Sequence, residues 1–229
     1  MDKEFVLKLA SQIGIDVQQV VREEAELIFL KSLFESKISD ALVFKGGTAL
    51  RLIYNSPRFS EDLDFSLTAP VTARDFKSLI TKTVRLDSRF SLNDLATKYY
   101  THLAEVRIKE PWQSLAFSLK IEISKRPVKL KQSDLTNLLA RSPATNLMVM
   151  TRVMTLERIL ADKLRILSKR KMPRDIFDGW FASQKTGKQF MKKNFGYPRG
   201  KIRQELRKFL PHNFYPVIEE LERLNAQRV

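Results

Sequence analysis

The sequence predicts an α+β protein, with a mixed α/β module at residues 1–153 followed by a helical module at residues 154–229. Three observations predict it. Apolar residues recur at helical spacing up to residue 36 and again after Thr155. Alternating, strand-like runs fill the stretch from Arg89 to Ser124. Between them, "ALVFKGGTALRLIY" passes from a short apolar run, through two glycines, into a helical pattern.

The elements follow in order. "EFVLKLASQI" and "VQQVVREEAELIFLKSLFES" predict two helices, with Gly14 breaking them and Asp16 capping the second. "ALVF" predicts a buried strand stopped by Gly46 and Gly47, and "TALRLIY" a helix with Thr48 at its start. "DLDFSL" alternates, so Asp62, Asp64 and Ser66 share one face while Leu63, Phe65 and Leu67 share the other. "TARDFKSLITKTV" predicts a helix capped by Thr72. "RFSLNDLA", "YTHLAEVRIK" and "LAFSLKIEIS" predict strands punctuated by Pro111 and Pro127, and "NLMVM" a further short one. The remainder predicts helices interrupted near Pro173, Gly196–Gly200 and Pro211.

Composition narrows the function. With no cysteine and only His102 and His212, disulfides, thiolate zinc sites, cysteine nucleophiles and histidine-rich metal clusters are excluded or disfavoured. The first residues carry acids beside lysines and only short apolar runs, so neither a signal peptide nor a membrane span is expected, and the location expected is cytoplasmic. A formal net charge of +15 attracts polyanions, and inside a cell that means first of all nucleic acid. The plainer reading is a solubilising surface.

The chemistry gathers in "FKGGTALRLIYNSPRFSEDLDFSL". Asp62 and Asp64 on one strand face repel each other unless a cation or solvent intervenes. Hard oxygen ligands of this kind suit magnesium or manganese. A solvated edge strand would tolerate the same pair. Lys45-Gly46-Gly47-Thr48 lies between strand and helix, where glycines allow close approach of a phosphate and Thr48 offers a hydroxyl; a simple turn and helix cap is the alternative. Arg58 and Ser60, just before the pair, could contact phosphate or brace the loop. In "FSLKIEIS", Glu122 shares its face with Ser118, Lys120 and Ser124, and is either a third metal-directed carboxylate or a solvent-facing one.

These segments, with "LERILADKLRIL…RDIFD" further on, resemble the AbiEii/AbiGii-type (MenT-like) nucleotidyltransferase toxins of the DNA polymerase β-like superfamily, over about residues 40–180. The resemblance implies a minimal nucleotidyltransferase domain, a mixed sheet flanked by helices, followed by a helical domain. It implies Gly47-Thr48 in place of the superfamily's Gly-Ser, Asp62 and Asp64 as the first two metal carboxylates, and Glu122, by strand context, as the third.

Lys163 stands out on its own account, because it falls on the stripe formed by Leu156, Ile159, Leu160 and Leu167. A lysine there must snorkel, pair with Asp175 or Asp178, or reach a triphosphate. The resemblance makes Lys163 catalytic and adds Arg174-Asp175 with Asp178; Asp175 could equally start a helix after Pro173. Toward the C-terminus, "QKTGKQFMKKNFGYPRGKIRQELRKF" sets Phe190, Phe195, Tyr197 and Phe209 among Lys and Arg. We read these aromatics as core and the basic face as an RNA contact.

The whole implies transfer of a nucleoside monophosphate from an NTP, with Mg2+ or Mn2+ on Asp62, Asp64 and Glu122, and with Lys163, Lys45 and Arg58 against the triphosphate. By resemblance the acceptor is RNA, the tRNA 3′ end first, which suits a translation-blocking toxin in a toxin–antitoxin or phage abortive-infection system with a cognate antitoxin. The alternatives are nucleotidylation of a protein or small molecule, phosphoryl transfer, and a non-catalytic nucleic-acid-binding module of the same fold.

Overall fold

A computed structural model of the chain describes residues 1–167, 172–190 and 196–226. Helices α1 (Lys3–Ile13) and α2 (Val17–Phe34) open it. Gly14 ends the first at φ 75°, a left-handed conformation that costs glycine little, and its N–H donates to the Ala10 carbonyl. The Asp16 carboxylate then accepts from the Gln18 N–H and starts the second. The predicted break between two helices is therefore present, with both of its signals in use.

Strand β1 (Leu42–Lys45), helix α3 (Gly46–Leu52), strand β2 (Asp62–Leu67) and helix α4 (Ala73–Arg85) follow. The Thr72 hydroxyl caps α4 by accepting from the Asp75 N–H. Next come β3 (Phe90–Lys98), β4 (Thr101–Ile108), β5 (Phe117–Ser124), β6 (Leu135–Ser142) and β7 (Thr145–Met154). Helices α5 (Leu156–Leu167), α6 (Pro173–Thr186), α7 (Lys201–Leu206) and α8 (Tyr215–Ala226) complete the described chain. None of the described helices is long and apolar enough to cross a membrane.

All seven strands form one mixed sheet in the order β3-β4-β5-β2-β1-β7-β6. The pairs β1–β7 and β2–β5 are parallel and the rest antiparallel. "NLMVM" lies in the first half of a strand twice as long as expected, and the sequence pattern does not point to β6. Its residues Leu138 and Leu139 are adjacent and both exposed, so β6 has no alternation to read and is held by its ladder to β7. Helix α2 packs against the sheet, and Leu63 and Phe65 of β2 meet Leu119, Ile121 and Ile123 of β5 in a core with no solvent access. Phe65 also stacks on Phe44 of β1 at 5.3 Å. Each such side chain contributes about 1.5–3 kcal/mol, which fixes the strand faces and hence the direction of Asp62 and Asp64.

Helix α2 also buries polar groups. Glu23 accepts from Arg51 at 2.5 Å and from Ser142, and Arg22 donates to the Ser118 carbonyl at 2.7 Å. Glu26 is buried, and its Oε1 has no hydrogen-bond partner among the described residues. Burial, then the nearby Glu23, push its carboxyl well above the usual range, against Arg22 and Arg51. A carboxyl raised in this way favours folding fully below its ordinary pKa, and that contribution is lost as pH rises through the folded value. Glu26→Gln should therefore gain on the wild type, in melting temperature, as pH is raised from about 5 to about 8. Parallel melting curves for the two proteins across that interval would contradict this.

Candidate active site

Strand register assembles the site. Lys45 of β1 lies opposite Asp64, while Asp62 and Asp64 lie beside Lys120 and Glu122 of β5. One face of three neighbouring strands thus carries three acids and two lysines, and the other face is core. Lys120 Nζ is 2.6 Å from Glu122 Oε2, and the Thr101 hydroxyl lies 3.5 Å from Glu122 Oε1. Lys120 and Lys45 outweigh burial and hold the Glu122 carboxyl below its ordinary value. Glu122 is drawn sideways to Lys120, and among the described residues no three acidic or histidine side chains are gathered into a ready ligand cluster. Asp64 is the opposite case. Burial, then Asp62, push its carboxyl up, against Lys45 and Lys163. A half-buried carboxylate pressed by a second one is a group whose charge a cation would stabilise. The donor set is all oxygen, which fits magnesium or manganese.

The glycines have a reason that the sequence did not disclose. Gly46 has φ +83°, and a Cβ there would lie 2.6 Å from Asp64 Oδ2. A Cβ on Gly47 would lie 2.2 Å from Arg58 Nη2 and 2.7 Å from Ser60 Oγ. The turn is bare so that Asp64 and Arg58 can rest against it. Thr48 is buried, and its hydroxyl donates to the Asp62 carbonyl at 2.5 Å. That bond ties the turn to the aspartate strand and directs the hydroxyl away from the cleft.

The far wall comes from the C-terminal helices. Lys163 of α5 reaches Asp175 at 2.8 Å and Asp178 at 2.7 Å, both on α6. Of the outcomes open to a lysine on an apolar stripe, the structure has the pairing with both aspartates. Burial alone would lower the Lys163 pKa, but Asp178 and then Asp175 outweigh it and raise it, so the ammonium is retained. Arg58 clamps Asp178 in two parallel bonds of 2.7 and 2.9 Å, and donates to its neighbour's carbonyl, Phe59, at 2.8 Å. Asp175 sits in the first turn of α6, buried and turned to Lys163, while Met172 occupies the cap position.

Between the walls lies a cleft of about 370 Å³. It is lined by Lys45, Gly46, Gly47, Arg58, Ser60, Asp62, Asp64, Glu122, Lys163 and Asp175, all of them singled out in the sequence, and it leaves out Thr48 and Asp178 among those candidates. Lys120, Asp162, Arg165 and Arg174 line it as well. Arg174 is already named with Asp175 by the resemblance, and Lys120 could have been found from its alternation with Glu122. Of the C-terminal aromatics, Phe190 is buried against Gly179 and Tyr197 packs on the core, as expected. Phe195 lies outside the described residues.

Residues 28–195 match the family model described as "Nucleotidyl transferase AbiEii toxin, Type IV TA system". Among solved structures, JHP933 from Helicobacter pylori aligns with a TM-score of 0.56 and 25% identity, covering 74% of this chain and 68% of that one. A candidate nucleotidyltransferase from H. pylori aligns at 0.56 and 23%, over 94% and 88% of the two chains. MenT4, the nucleotidyltransferase toxin Rv2826c from Mycobacterium tuberculosis H37Rv, aligns at 0.62 and 16%, over 99% and 89%. The last two are likenesses of fold. Comparison with curated protein sequences gives no significant match. The family match spans most of the chain and takes in every strand and helix that lines the cleft, and so the chain belongs to the AbiEii nucleotidyl transferase toxin family of type IV toxin–antitoxin systems.

Proposed function

We propose that this nucleotidyltransferase moves a nucleoside monophosphate from an NTP to the 3′ hydroxyl of an RNA, the tRNA 3′ end first among candidates, and releases pyrophosphate. One observation carries the reading: a single cleft holds the glycine turn, Asp62, Asp64 and Glu122 on one wall and Lys163 on the other. Asp62, Asp64 and Glu122 would hold divalent cations, whose chemistry when bound is to activate the attacking hydroxyl and to neutralise the departing pyrophosphate. The hydroxyl oxygen bonds to the α-phosphorus as the bond to pyrophosphate breaks. Lys163, kept charged by its two aspartates, and Lys45, opposite Asp64, supply positive charge where the triphosphate becomes more negative. Arg58 is committed to Asp178, which supports the bracing role over direct phosphate contact. Its guanidinium and Ser60 bound the turn that the phosphates would approach.

The net charge of +15 supports a polyanionic acceptor. Modified tRNA ends would halt translation, consistent with a toxin held in check by a cognate antitoxin, in a cytoplasmic setting. The test mixes purified protein, total tRNA, magnesium and each α-labelled NTP in turn. Label should enter tRNA from a preferred nucleotide, with one pyrophosphate released per label. Label on protein alone would move the acceptor, and recovery of the α-label in a nucleoside diphosphate, with none on tRNA, would replace the reaction by phosphoryl transfer.

A further inference from the structure

Beside the catalytic cleft runs a larger hollow of about 1110 Å³. Its lining includes Lys45, Glu122, Arg165 and Ile166, which also line the cleft, so the two spaces are continuous past Glu122. Lys98, Arg126, Lys129 and Arg158 add further cations, and Glu122 is the one carboxylate among the described lining residues. Arg158 is engaged by Asp134 and Asp162, so among these four the excess charge sits at Lys98, Arg126 and Lys129.

Next to Lys98 and Arg126 stand Tyr99 and Tyr100, the whole of the turn between β3 and β4, since Lys98 and Thr101 are already register partners. Two-residue hairpin turns ordinarily take Asn-Gly or a similar pair, because the favoured geometries need positive φ. Neither tyrosine has positive φ, and neither is a residue that such a turn selects. Nor does burial explain them, since Tyr99 is 83% exposed and Tyr100 52%. The rings meet edge to face at 4.5 Å, and the Arg126 guanidinium lies 5.3 Å from the Tyr100 ring centre. The tip is anchored: the Lys125 N–H donates to the Tyr100 carbonyl at 2.8 Å, and Thr101 approaches Glu122.

We infer that this hollow is the acceptor site and takes the unpaired 3′ end of an RNA. Bases stack on Tyr99 and Tyr100, phosphates lie along Lys98, Arg126 and Lys129, and the terminal hydroxyl is passed toward Glu122. Cations alone would hold any polyanion. Exposed rings among them select a strand whose bases are free to stack, which a duplex does not offer. The inference rests on the reading of the reaction as transfer to RNA, and deepens it by giving the acceptor strand a place.

The experiment measures fluorescence anisotropy with a labelled single strand of about eight nucleotides, within the usual reach of such a groove, and with a blunt RNA hairpin. The wild type should prefer the single strand. Tyr99→Ala/Tyr100→Ala should weaken that binding about tenfold or more, with little change for the hairpin, and Tyr99→Phe/Tyr100→Phe should restore it. Should the double alanine variant fail to melt cooperatively, Tyr99→Ala alone, at the more exposed ring, makes the same test. A folded alanine variant that binds the single strand like the wild type overturns the inference, as does equal binding of strand and hairpin by the wild type. Label transfer separates this site from the reaction. Single-strand binding that depends on the tyrosines, with no transfer to any RNA, keeps the groove and removes the reaction. Transfer to tRNA at equal kcat/KM in wild type and alanine variant removes the groove and keeps the reaction.

Discussion

Asp64→Asn is expected to lower nucleotidyl transfer about a thousandfold or more, or by about 4 kcal/mol of transition-state stabilisation, in a protein that still folds. On the proposed assignment Asp64 is the innermost metal carboxylate: Lys45 lies across from it, Glu122 beside it, and the bare Gly46 behind it. Asparagine keeps the shape and removes the charge. Because burial and Asp62 already push the Asp64 carboxyl up, loss of that charge relieves repulsion and should leave the melting temperature unchanged or higher. The two readouts should thus move in opposite directions or independently. A fall in both together would mean that Asp64 serves the fold, and transfer at wild-type rate would remove it from the chemistry. Added magnesium or manganese should raise the melting temperature of the wild type and do so less in the variant, by the usual linkage of binding to stability.

How much of this was legible depends on how far apart in the chain the partners lie. "DLDFSL" could be read because its other face is core: Leu63 and Phe65 have no solvent access, so alternation had only one solution. The Asp64–Glu122 pairing could be reached only through strand context, since a parallel register between distant segments leaves no spacing to count. Lys163 was visible as a misfit on an apolar stripe. That it holds two aspartates at once, one of which also holds Arg58, required coordinates. Local sequence offers Thr48 as a phosphate donor or cap, and its bond to the Asp62 carbonyl is a tertiary contact that no local rule supplies. Tyr100 continues the alternating pattern of the strand that follows it, which hides the aromatic pair at the turn.

Asp178→Ala should be the most damaging single change to the fold, costing about 3–5 kcal/mol, or a melting-temperature drop of roughly 6–20 °C. Asp178 is wholly buried and answers two cations, Arg58 through two bonds and Lys163 through one. Without it, Lys163 keeps Asp175, while the buried Arg58 loses the carboxylate it clamps. Burial pulls the Asp178 carboxyl up, but Arg58 and then Lys163 outweigh it and hold it below the ordinary value. Such a group stabilises fully above the ordinary carboxylate pKa, and the contribution is lost as pH falls through the depressed folded value. The gap between wild type and variant should therefore be wide at neutral pH and close in acid. A melting temperature within a degree or so of wild type at neutral pH would show that the pair is not what holds α6 to the loop before β2. The double change Arg58→Met/Asp178→Leu then decides what Arg58 does. Apolar replacements of a buried ion pair often recover stability. If Arg58 is only a brace for the turn at Gly47, transfer should return with the fold. If the fold returns and transfer does not, its guanidinium is needed at the phosphates, and the clamp on Asp178 serves to hold it there.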